Sequence, residues 1–389
     1  MTVNEIQQIS VPDCLAVENY KKRMTRKKAG QDLMQVFRTG LLQWNRTHNK
    51  RNMPWKGERD PYKIWLSEII LQQTRVEQGL GYYERFIQTF SNVHALAAAP
   101  EQQVFKLWEG LGYYSRCKNL IATAKYISET LNGVFPATYE TILALKGIGP
   151  YTAAAIASFA YNLPYAVLDG NVFRVLSRIY ANETPIDSTE GKKTFSLLAQ
   201  QTLAQEEAGA YNQAIMDFGA TICKPVPACA HCFFATQCQA FLQNRQAGLP
   251  VKGKAAALKE RWFHYVVLQF EDTIAIQQRT ARDIWQNLFE VLLIEASKKE
   301  DKQTILRQLE KSYNLMPNEY DIISAAANAT QKLSHQKIYF SFIHIRLRHP
   351  KEINNMLWVS QKVLDQYPFP KTLLLFLQKN GSVTGKKFD

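Results

Sequence analysis

Four of the six cysteines are gathered in one short segment of the chain. Cys223, Cys229, Cys232 and Cys238 follow the spacing C-x5-C-x2-C-x5-C within TICKPVPACAHCFFATQCQA. The C-x2-C pair can present two thiolates to one metal centre from a single turn, and the five-residue gaps can bring the outer cysteines back to it. A disulfide framework does not need this clustering. The spacing predicts a metal-binding loop, with zinc and an iron–sulfur cluster both open.

Length and charge limit the class of protein. With 389 residues, 46% of them hydrophobic, the chain can form two or three domains with their own cores. A formal net charge of +13 and a pI near 9.3 favour a polyanionic partner. The N-terminus has no charged segment that leads into an apolar stretch, and no clean apolar run could span a bilayer. We therefore expect a soluble cytoplasmic protein.

Apolar spacing and loop composition divide the chain into five segments. Residues 1–28 end in KKRMTRKK and form either a mobile basic arm that attracts phosphates or a solvated tail without a role. Residues 29–222 have helical periodicity from Asp32 to about Thr221. The cysteine loop (223–240) follows, and 241–259 is expected to be an exposed basic linker. Residues 260–389 are expected to form a smaller α+β domain.

The last segment alternates β-branched, aromatic runs with helical stretches. The predicted strands are WFHYVVLQF, TIAIQQR, FEVLLIEAS, KIYFSFIHIRL and MLWVS, and the predicted helices are DKQTILRQLEKSY and KTLLLFLQK.

Glu68 is the only ionisable residue in the run IWLSEIILQQT. At helical spacing it shares a face with Ile64, Trp65, Leu71 and Gln72. A carboxyl group among apolar side chains is disfavoured as an anion, so we expect its pKa to rise until it can act as a general acid near neutral pH. The alternative is a buried glutamate that pairs with an arginine or a helix end.

Asp169 is a lone acid within LPYAVLDGNVFRVL, directly before a helical pattern. On sequence alone, its first role is that of an N-cap, in which the carboxylate accepts hydrogen bonds from the first free amides of the helix. We expect the helix dipole to keep such a carboxylate ionised, which would also suit it to face a developing cation.

Two glycine-containing segments could contact nucleic acid. In LKGIGPYTAAAIASFA, Gly147 and Gly149 bracket a tight turn that could aim backbone amides at a phosphate, or could be an ordinary interhelical turn. In GLGYYSR, Tyr113 and Tyr114 could wedge into a base stack, although aromatic residues beside a turn more often face the core.

Several segments together resemble the adenine DNA glycosylases, the MutY family. They are WLSEIILQQT, GLGYYSR, LKGIGPYTAAAI, LDGNVFRV, YNQAIMDFGATIC and the cysteine loop, and their order and spacing match over roughly residues 30–240. The resemblance implies an all-α helix–hairpin–helix glycosylase domain of two lobes with DNA in the cleft, a [4Fe-4S] cluster, and a second, MutT-like (Nudix-like) domain. It also implies a monomer that excises adenine mispaired with 8-oxoguanine or guanine in double-stranded DNA.

The resemblance also assigns roles to residues that match the family's motifs. Glu68 matches the acid that protonates the leaving adenine, and Asp169 matches the carboxylate that stabilises the sugar cation, with Tyr151 and Asn171 in support. This agrees with the chemistry of glycosidic cleavage, which needs one proton donor and one carboxylate. The residues implied to contact DNA or the target base are Trp55 and Gln213 in the adenine pocket, Gln73 and Tyr113 at the lesion, Thr74, Leu111, Gly147 and Gly149 elsewhere, and Ser334 with His335 at 8-oxoguanine. The four loop cysteines match the cluster ligands.

This sequence departs from the family pattern at two positions and in one signature. The first cysteine gap has five residues where the family usually has six, and Leu333 stands where the family usually has phenylalanine before Ser-His. The second domain lacks the glutamate-rich Nudix signature, so we expect it to recognise rather than hydrolyse. Tyr151 occupies the place of the lysine nucleophile of endonuclease III, which argues for a monofunctional enzyme. The alternatives are a thymine mismatch or endonuclease III-like glycosylase and a noncatalytic DNA-binding protein.

Overall fold

A computed structural model describes residues 32–253, 258–353 and 355–379 of the chain. The chain forms two compact units. The first unit contains the described residues up to Trp65, together with Pro136–Ala144 and Ile148–Gly253, and the second contains Leu66–Phe135, Leu145–Gly147 and the described residues after Lys254. The basic arm expected over residues 1–28 lies outside the described residues. Within the described ranges, no helix is long and apolar enough to cross a membrane.

The part of the chain before the cysteine loop is helical, which confirms the prediction for this region. Its helices are α1 (residues 32–47), α2 (Pro61–Leu71), α3 (Val76–Thr89), α4 (Val93–Ala98), α5 (Glu101–Trp108), α6 (Tyr114–Glu129), α7 (Tyr139–Leu143), α8 (Pro150–Tyr161), α9 (Gly170–Ile179), α10 (Thr189–Thr202) and α11 (Ala208–Thr221), and α12 (Gln239–Leu242) follows the loop. Local sequence defines several helix starts, because Asn92, Thr138 and Ser188 accept hydrogen bonds from backbone amides in the first turns of α4, α7 and α10.

An aromatic cluster holds the cysteine loop against the helices of the first unit. Phe37 of α1 makes edge-to-face contacts with Phe218 of α11 and with Phe234 of the loop, at centroid distances of 6.3 and 5.1 Å. Phe233 lies against Gly40, where an added Cβ would come within 2.6 Å of its ring. The loop is therefore part of the hydrophobic core of this unit.

The described part of the expected linker is mostly exposed, but it is anchored at two points of the first unit. Arg178 Nε donates to the carbonyl oxygen of Leu249, a buried residue, at 3.1 Å, and the Ile186 amide donates to the carbonyl oxygen of Val251 at 3.0 Å. These contacts extend the ordered first unit to Gly253.

The C-terminal part of the second unit is an α+β domain, as expected. Its strands are β1 (Lys259–Phe270), β2 (Thr273–Gln278), β3 (Phe289–Glu290), β4 (Leu292–Ala296), β5 (Tyr320–Lys332), β6 (Gln336–Leu347) and β7 (Leu357–Ser360), and its helices are α13 (Lys302–Tyr313) and α14 (Lys371–Lys379). The sheet order is β3-β2-β1-β6-β5, with β4 also paired to β1 and β7 to β2. The β1–β6 pair is parallel, and the other pairs are antiparallel.

Sequence patterning missed β5. Its sequence, YDIISAAANATQK, is rich in alanine and has few of the branched residues that favour strands. The strand forms because β6 supplies a hydrogen-bonding partner along its whole length, from Tyr320 opposite Leu347 to Lys332 opposite Lys337, with irregularities after Ile322 and Ala327. Tertiary pairing outweighs local propensity here.

The C-terminal domain also contacts the helices of its own unit. The Phe369 amide donates to Glu109 Oε1 at 2.8 Å, and Lys106 Nζ donates to the Tyr367 carbonyl oxygen at 3.2 Å. Burial raises the pKa of the Glu109 carboxyl, although Lys106 beside it acts in the opposite direction. Residues 367–369 are thereby fixed to the end of α5.

Candidate functional site

Asp169 is the N-cap of α9, which confirms the expectation from sequence. Its Oδ1 accepts a hydrogen bond from the Val172 amide at 2.7 Å. Burial raises the pKa of Asp169, and the hydrogen bonds from Val172 and Asn171 act in the opposite direction, so the expectation that the carboxylate is kept ionised stays a prediction. The carboxylate is ordered, and its ionisation depends on these donors.

Asn171 holds the second oxygen of the Asp169 carboxylate. Its Nδ2 donates to Asp169 Oδ2 at 2.8 Å, while its Oδ1 accepts from Arg174 Nη2 at 2.7 Å. Arg174 is fixed in turn, because its Nε donates to the carbonyl oxygen of Cys223 at 2.7 Å. An arginine can only donate, so it determines that the Asn171 amide presents its NH2 group to Asp169. This chain links the carboxylate to the cysteine loop.

We expect Asn171→Ala to move the acid limb of the pH profile to higher pH. In the role that the resemblance implies for Asp169, the group acts as a carboxylate, so we expect activity to fall as the pH decreases through its pKa. Removal of the Asn171 hydrogen bond, which lowers this pKa, should raise it further. Single-turnover excision measured across pH tests this. The alkaline limb should not move, and an unchanged acid limb would show that Asn171 does not act on Asp169.

Three further predicted residues of the first unit lie on two helices and one loop. Tyr151, in the first turn of α8, donates from its hydroxyl to the sulfur of Met216 at 3.6 Å. Trp55 is buried in the loop between α1 and α2. Gln213 of α11 donates from Nε2 to Asp217 Oδ1 at 3.0 Å. Sequence reasoning missed Asp217, a lone acid one helical turn after Gln213.

Glu68 lies in α2 and is 7% exposed, so the predicted burial of this carboxyl group is confirmed. Its neighbours along the helix, Trp65, Ile69 and Ile70, are buried as well. Charged groups are rarely buried without a functional or structural reason. The burial is therefore consistent with either role that the sequence left open.

Gln73 and Tyr113 are the two predicted DNA-inserting residues, and both have left-handed backbone conformations in the second unit, with φ of 57° and 49°. Such angles are uncommon for residues with a side chain and often mark functional positions. Tyr113 is 43% exposed, while Tyr114 is buried and accepts a hydrogen bond from the Gly110 amide. Of the two tyrosines singled out from sequence, only Tyr113 presents an exposed ring.

Arg116, which sequence reasoning did not select, joins these two loops. Its Nη1 donates to the carbonyl oxygens of Ile69 and Ile70 at 2.6 and 3.0 Å, and its guanidinium lies 5.4 Å from the centre of the Tyr113 ring. Its Nη2 also lies 3.5 Å from Thr74 Oγ1. Leu111 is only 5% exposed, which gives no support for a direct DNA contact by its side chain.

The predicted hairpin is present as the turn between α7 and α8. Gly147 has φ of +79°, and an added Cβ would lie 2.6 Å from Cβ of Asn119, so glycine is required here for both conformation and space. Gly149 is the N-cap of α8, has no side chain to cap the helix, and has open space around its Cα. The first amides of α8 thus begin at a glycine that leaves room for a ligand to approach.

Ser334 and His335 form the two-residue turn between β5 and β6, and both are exposed. Ser334 Oγ lies 3.1 Å from His335 Nδ1, and His335 Nε2 lies 2.7 Å from Gln336 Nε2. Arg261 Nη1 donates to Gln336 Oε1 at 3.1 Å and is itself paired with Glu295 and Asp283. The buried side chains of Gln336 and Arg261 therefore support the turn.

The four predicted metal ligands are half-buried. Arg178 Nη1 donates to the Cys223 sulfur at 3.5 Å, and Cys238 Sγ donates to the Arg178 carbonyl oxygen at 3.4 Å. Burial raises the pKa of Cys223 and Cys238, and raises that of Cys232 to about 12. Because Arg178 contacts both Cys223 and Cys238, it connects the two ends of the cysteine loop.

Comparison with known proteins identifies the family. Residues 66–201 match HhH-GPD superfamily base excision DNA repair proteins, and residues 264–379 match the NUDIX domain. An adenine DNA glycosylase of Buchnera aphidicola subsp. Baizongia pistaciae is 36% identical over 256 residues, which are 65% of this chain and 72% of that protein. The chain belongs to the adenine DNA glycosylase family.

Two further comparisons cover different parts of the chain. An adenine DNA glycosylase of Buchnera aphidicola subsp. Acyrthosiphon pisum is 29% identical over 348 residues, which are 88% of this chain and 97% of that protein. The solved structure of a thermostable thymine-DNA glycosylase aligns with a TM-score of 0.51 and 27% identity over 55% of this chain and 99% of that one. The predicted fold class, a helical glycosylase domain followed by a Nudix-like domain, is confirmed.

Membership of this family establishes the reaction class. The chain is a DNA glycosylase of base-excision repair that acts on DNA and removes mispaired adenine. The enzyme predicted from sequence is confirmed, and the noncatalytic DNA-binding alternative is not supported.

Proposed function

We propose that this glycosylase removes adenine opposite 8-oxoguanine or guanine in double-stranded DNA, as a cytoplasmic monomer without lyase activity. The observation that carries the proposal is the contrast between two carboxyl groups. Glu68 is buried in an apolar helix, whereas Asp169 is fixed by hydrogen bonds at a helix start. Cleavage of an N-glycosidic bond needs one group of each kind, a proton donor and a carboxylate that faces positive charge.

In the proposed mechanism, the target adenine first leaves the base stack. Glu68 donates a proton to a nitrogen of the adenine ring, which makes the base a better leaving group. As the bond between the sugar and the base breaks, positive charge develops on the sugar, and the Asp169 carboxylate stabilises it. Water then attacks the sugar carbon. Tyr151 stands where a lysine would be needed for a Schiff base, which supports hydrolysis without strand cleavage.

We assign recognition of 8-oxoguanine to the turn of Ser334 and His335. Both side chains are exposed at the tip of a hairpin, and the network through Gln336 and Arg261 supports them. The hydroxyl of Ser334 can donate and accept at once, which suits the adjacent N7–H and O8 of 8-oxoguanine.

We expect Ser334→Ala to reduce the preference for adenine opposite 8-oxoguanine over adenine opposite guanine. A pair of hydrogen bonds to a base contributes on the order of 1–3 kcal/mol of discrimination, so the ratio of single-turnover rates should fall roughly tenfold to a hundredfold. Excision opposite guanine serves as the internal control and should change little. An unchanged ratio would mean that the lesion is recognised elsewhere.

We assign a [4Fe-4S] cluster to Cys223, Cys229, Cys232 and Cys238. The four cysteines are half-buried in one loop whose Phe234 belongs to the core of the first unit, and the family resemblance favours an iron–sulfur cluster over zinc at this spacing. Arg174 and Arg178 supply positive charge beside Cys223. When bound, the cluster would cross-link the loop and take no part in base chemistry.

We expect purified protein to be brown and to contain about four irons per chain. Cys232→Ser should reduce iron content and lower Tm, because the loop forms part of the core around Phe234. Cys117→Ser, at a buried cysteine of the second unit, is the matched control and should leave iron content unchanged. Colourless protein with one zinc per chain would contradict the assignment.

A substrate panel tests the proposed function as a whole. Single-turnover assays should use duplexes with adenine opposite 8-oxoguanine, adenine opposite guanine, thymine opposite guanine, and thymine glycol. We expect fast excision from the first, slower excision from the second and none from the others, with strand cleavage only after alkali. Faster thymine release would assign the chain to the function of the thymine-DNA glycosylase it resembles.

A further inference from the structure

Asp217 is a fully buried carboxylate in α11, with 0% of its surface exposed. Its Oδ1 accepts hydrogen bonds from Arg51 Nη1 at 2.9 Å and Gln213 Nε2 at 3.0 Å. Its Oδ2 accepts from Asn49 Nδ2 at 2.8 Å and Lys56 Nζ at 3.1 Å. Two cationic side chains and two amide side chains thus surround the Asp217 carboxylate. All four donate hydrogen bonds to it.

The Asp217 carboxylate fixes the orientation of the Gln213 side chain. A carboxylate only accepts hydrogen bonds, so the part of the Gln213 amide that faces Asp217 must be its NH2 group. A half-turn of the amide would place Oε1 against Asp217 Oδ1, with two acceptors in contact and a buried carboxylate oxygen short of a donor. Gln213 therefore turns its carbonyl oxygen away from Asp217.

The same carboxylate anchors the loop that carries Trp55. Asn49, Arg51 and Lys56 all lie between α1 and α2, and Lys56 Nζ also donates to the Arg51 carbonyl oxygen at 2.8 Å. Trp55 and Gln213, the two residues assigned to the adenine pocket, are thus connected through one buried group.

We infer that Asp217 determines the choice of base by fixing Gln213 with its carbonyl oxygen toward the 6-amino group of the flipped adenine. This inference rests on the proposed role of Gln213 in the adenine pocket. Adenine carries a hydrogen-bond donor at position 6, whereas hypoxanthine and guanine carry an acceptor there. A fixed carbonyl oxygen at Gln213 accepts a hydrogen bond from the 6-amino group of adenine and repels the oxygen at position 6 of hypoxanthine or guanine. Asp217 is a positioning residue, because it acts on the base through Gln213.

The test compares single-turnover excision of adenine and hypoxanthine, each opposite guanine, by the full-length protein. Asp217→Asn lets the Gln213 amide turn and should lower the adenine-to-hypoxanthine rate ratio roughly tenfold to a hundredfold. Glu84→Gln, at an exposed glutamate of α3, is the control and should keep the wild-type ratio.

The decisive variant is the double substitution Asp217→Asn with Gln213→Glu. In this variant, the amide introduced at position 217 donates a hydrogen bond to the carboxylate introduced at position 213, which reverses the direction of the wild-type hydrogen bond. The variant also keeps one negative charge beside Arg51 and Lys56. We expect the ratio to return close to the wild-type value. A folded double variant whose ratio stays tenfold or more below the wild-type value would overturn the inference, even if Asp217→Asn alone fails to fold.

The variant Gln213→Leu tests the proposed contact between Gln213 and the base separately from the role of Asp217. Gln213→Leu keeps most of the bulk of the side chain but cannot read position 6, so its ratio should fall as well. If this ratio is unchanged, Gln213 does not contact the base, and the proposed adenine pocket is wrong. If it falls while Asp217→Asn keeps the wild-type ratio and overall rate, the pocket stands and only the role of Asp217 is lost.

Discussion

Replacing Glu68 with glutamine should slow adenine release by on the order of a hundredfold to ten-thousandfold, the usual contribution of a positioned general acid. Glutamine has nearly the same shape as glutamate, so the buried position in α2 should remain filled. The variant cannot donate a proton to the leaving base, whereas its DNA-binding surface is unchanged. We therefore expect the variant to lose single-turnover excision and to retain binding to a mismatched duplex.

Glu84→Gln is the matched control for this experiment. Glu84 is an exposed glutamate in α3, outside the apolar segment that surrounds Glu68. The same chemical change is therefore made at a side chain that is not buried. Its excision rate should equal that of the wild-type protein. If Glu68→Gln retains turnover, or loses binding and excision together, Glu68 has a structural role and the acid must be sought elsewhere.

Replacing Asp169 with asparagine should reduce excision by on the order of a hundredfold or more, because the sugar cation loses its opposing negative charge. Asparagine is as good an N-cap as aspartate, so the start of α9 should persist. The contact with Asn171 would then join two NH2 groups, and loss of that hydrogen bond should cost about 1 kcal/mol of stability. Excision and Tm are the two measurements.

Asp301→Asn makes the same change at another N-cap. Asp301 accepts from the Thr304 amide at 2.7 Å at the start of α13, and it is exposed. Its excision rate should not change. If Asp169→Asn excises adenine at the wild-type rate, the cap would be the whole function of Asp169 and its charge would have no part in the reaction.

Local sequence was sufficient to predict several elements of the site. Helical periodicity located α2 and α9, the Asp-Gly-Asn pattern located the N-cap at Asp169, and cysteine spacing located the loop. In each case the signal lies within one turn or one short segment, where backbone geometry alone brings the relevant groups together. The roles assigned to Glu68, Asp169 and the four cysteines remain predictions that the experiments above test.

Other features depend on residues far apart in the chain. Arg174 bonds to the backbone at Cys223, and Asp217 binds Arg51 and Lys56, whose positions precede it by more than a hundred and fifty residues. No local pattern marks such partners, because arginines, lysines and lone acids are common at the surface. For the same reason, the cap motif alone could not show that burial by distant segments raises the pKa of Asp169 against the hydrogen bonds beside it.

The sequence by itself determined the family, the helical and α+β parts, and the residue types available for acid, carboxylate and thiolate chemistry. Only the tertiary structure decided that YDIISAAANATQK is a strand, that Tyr113 rather than Tyr114 is exposed, and that the Gln213 amide has a fixed direction. The reason is that propensity and spacing act between neighbours in the chain. Strand pairing, burial and the satisfaction of buried polar groups depend on which distant segments pack together.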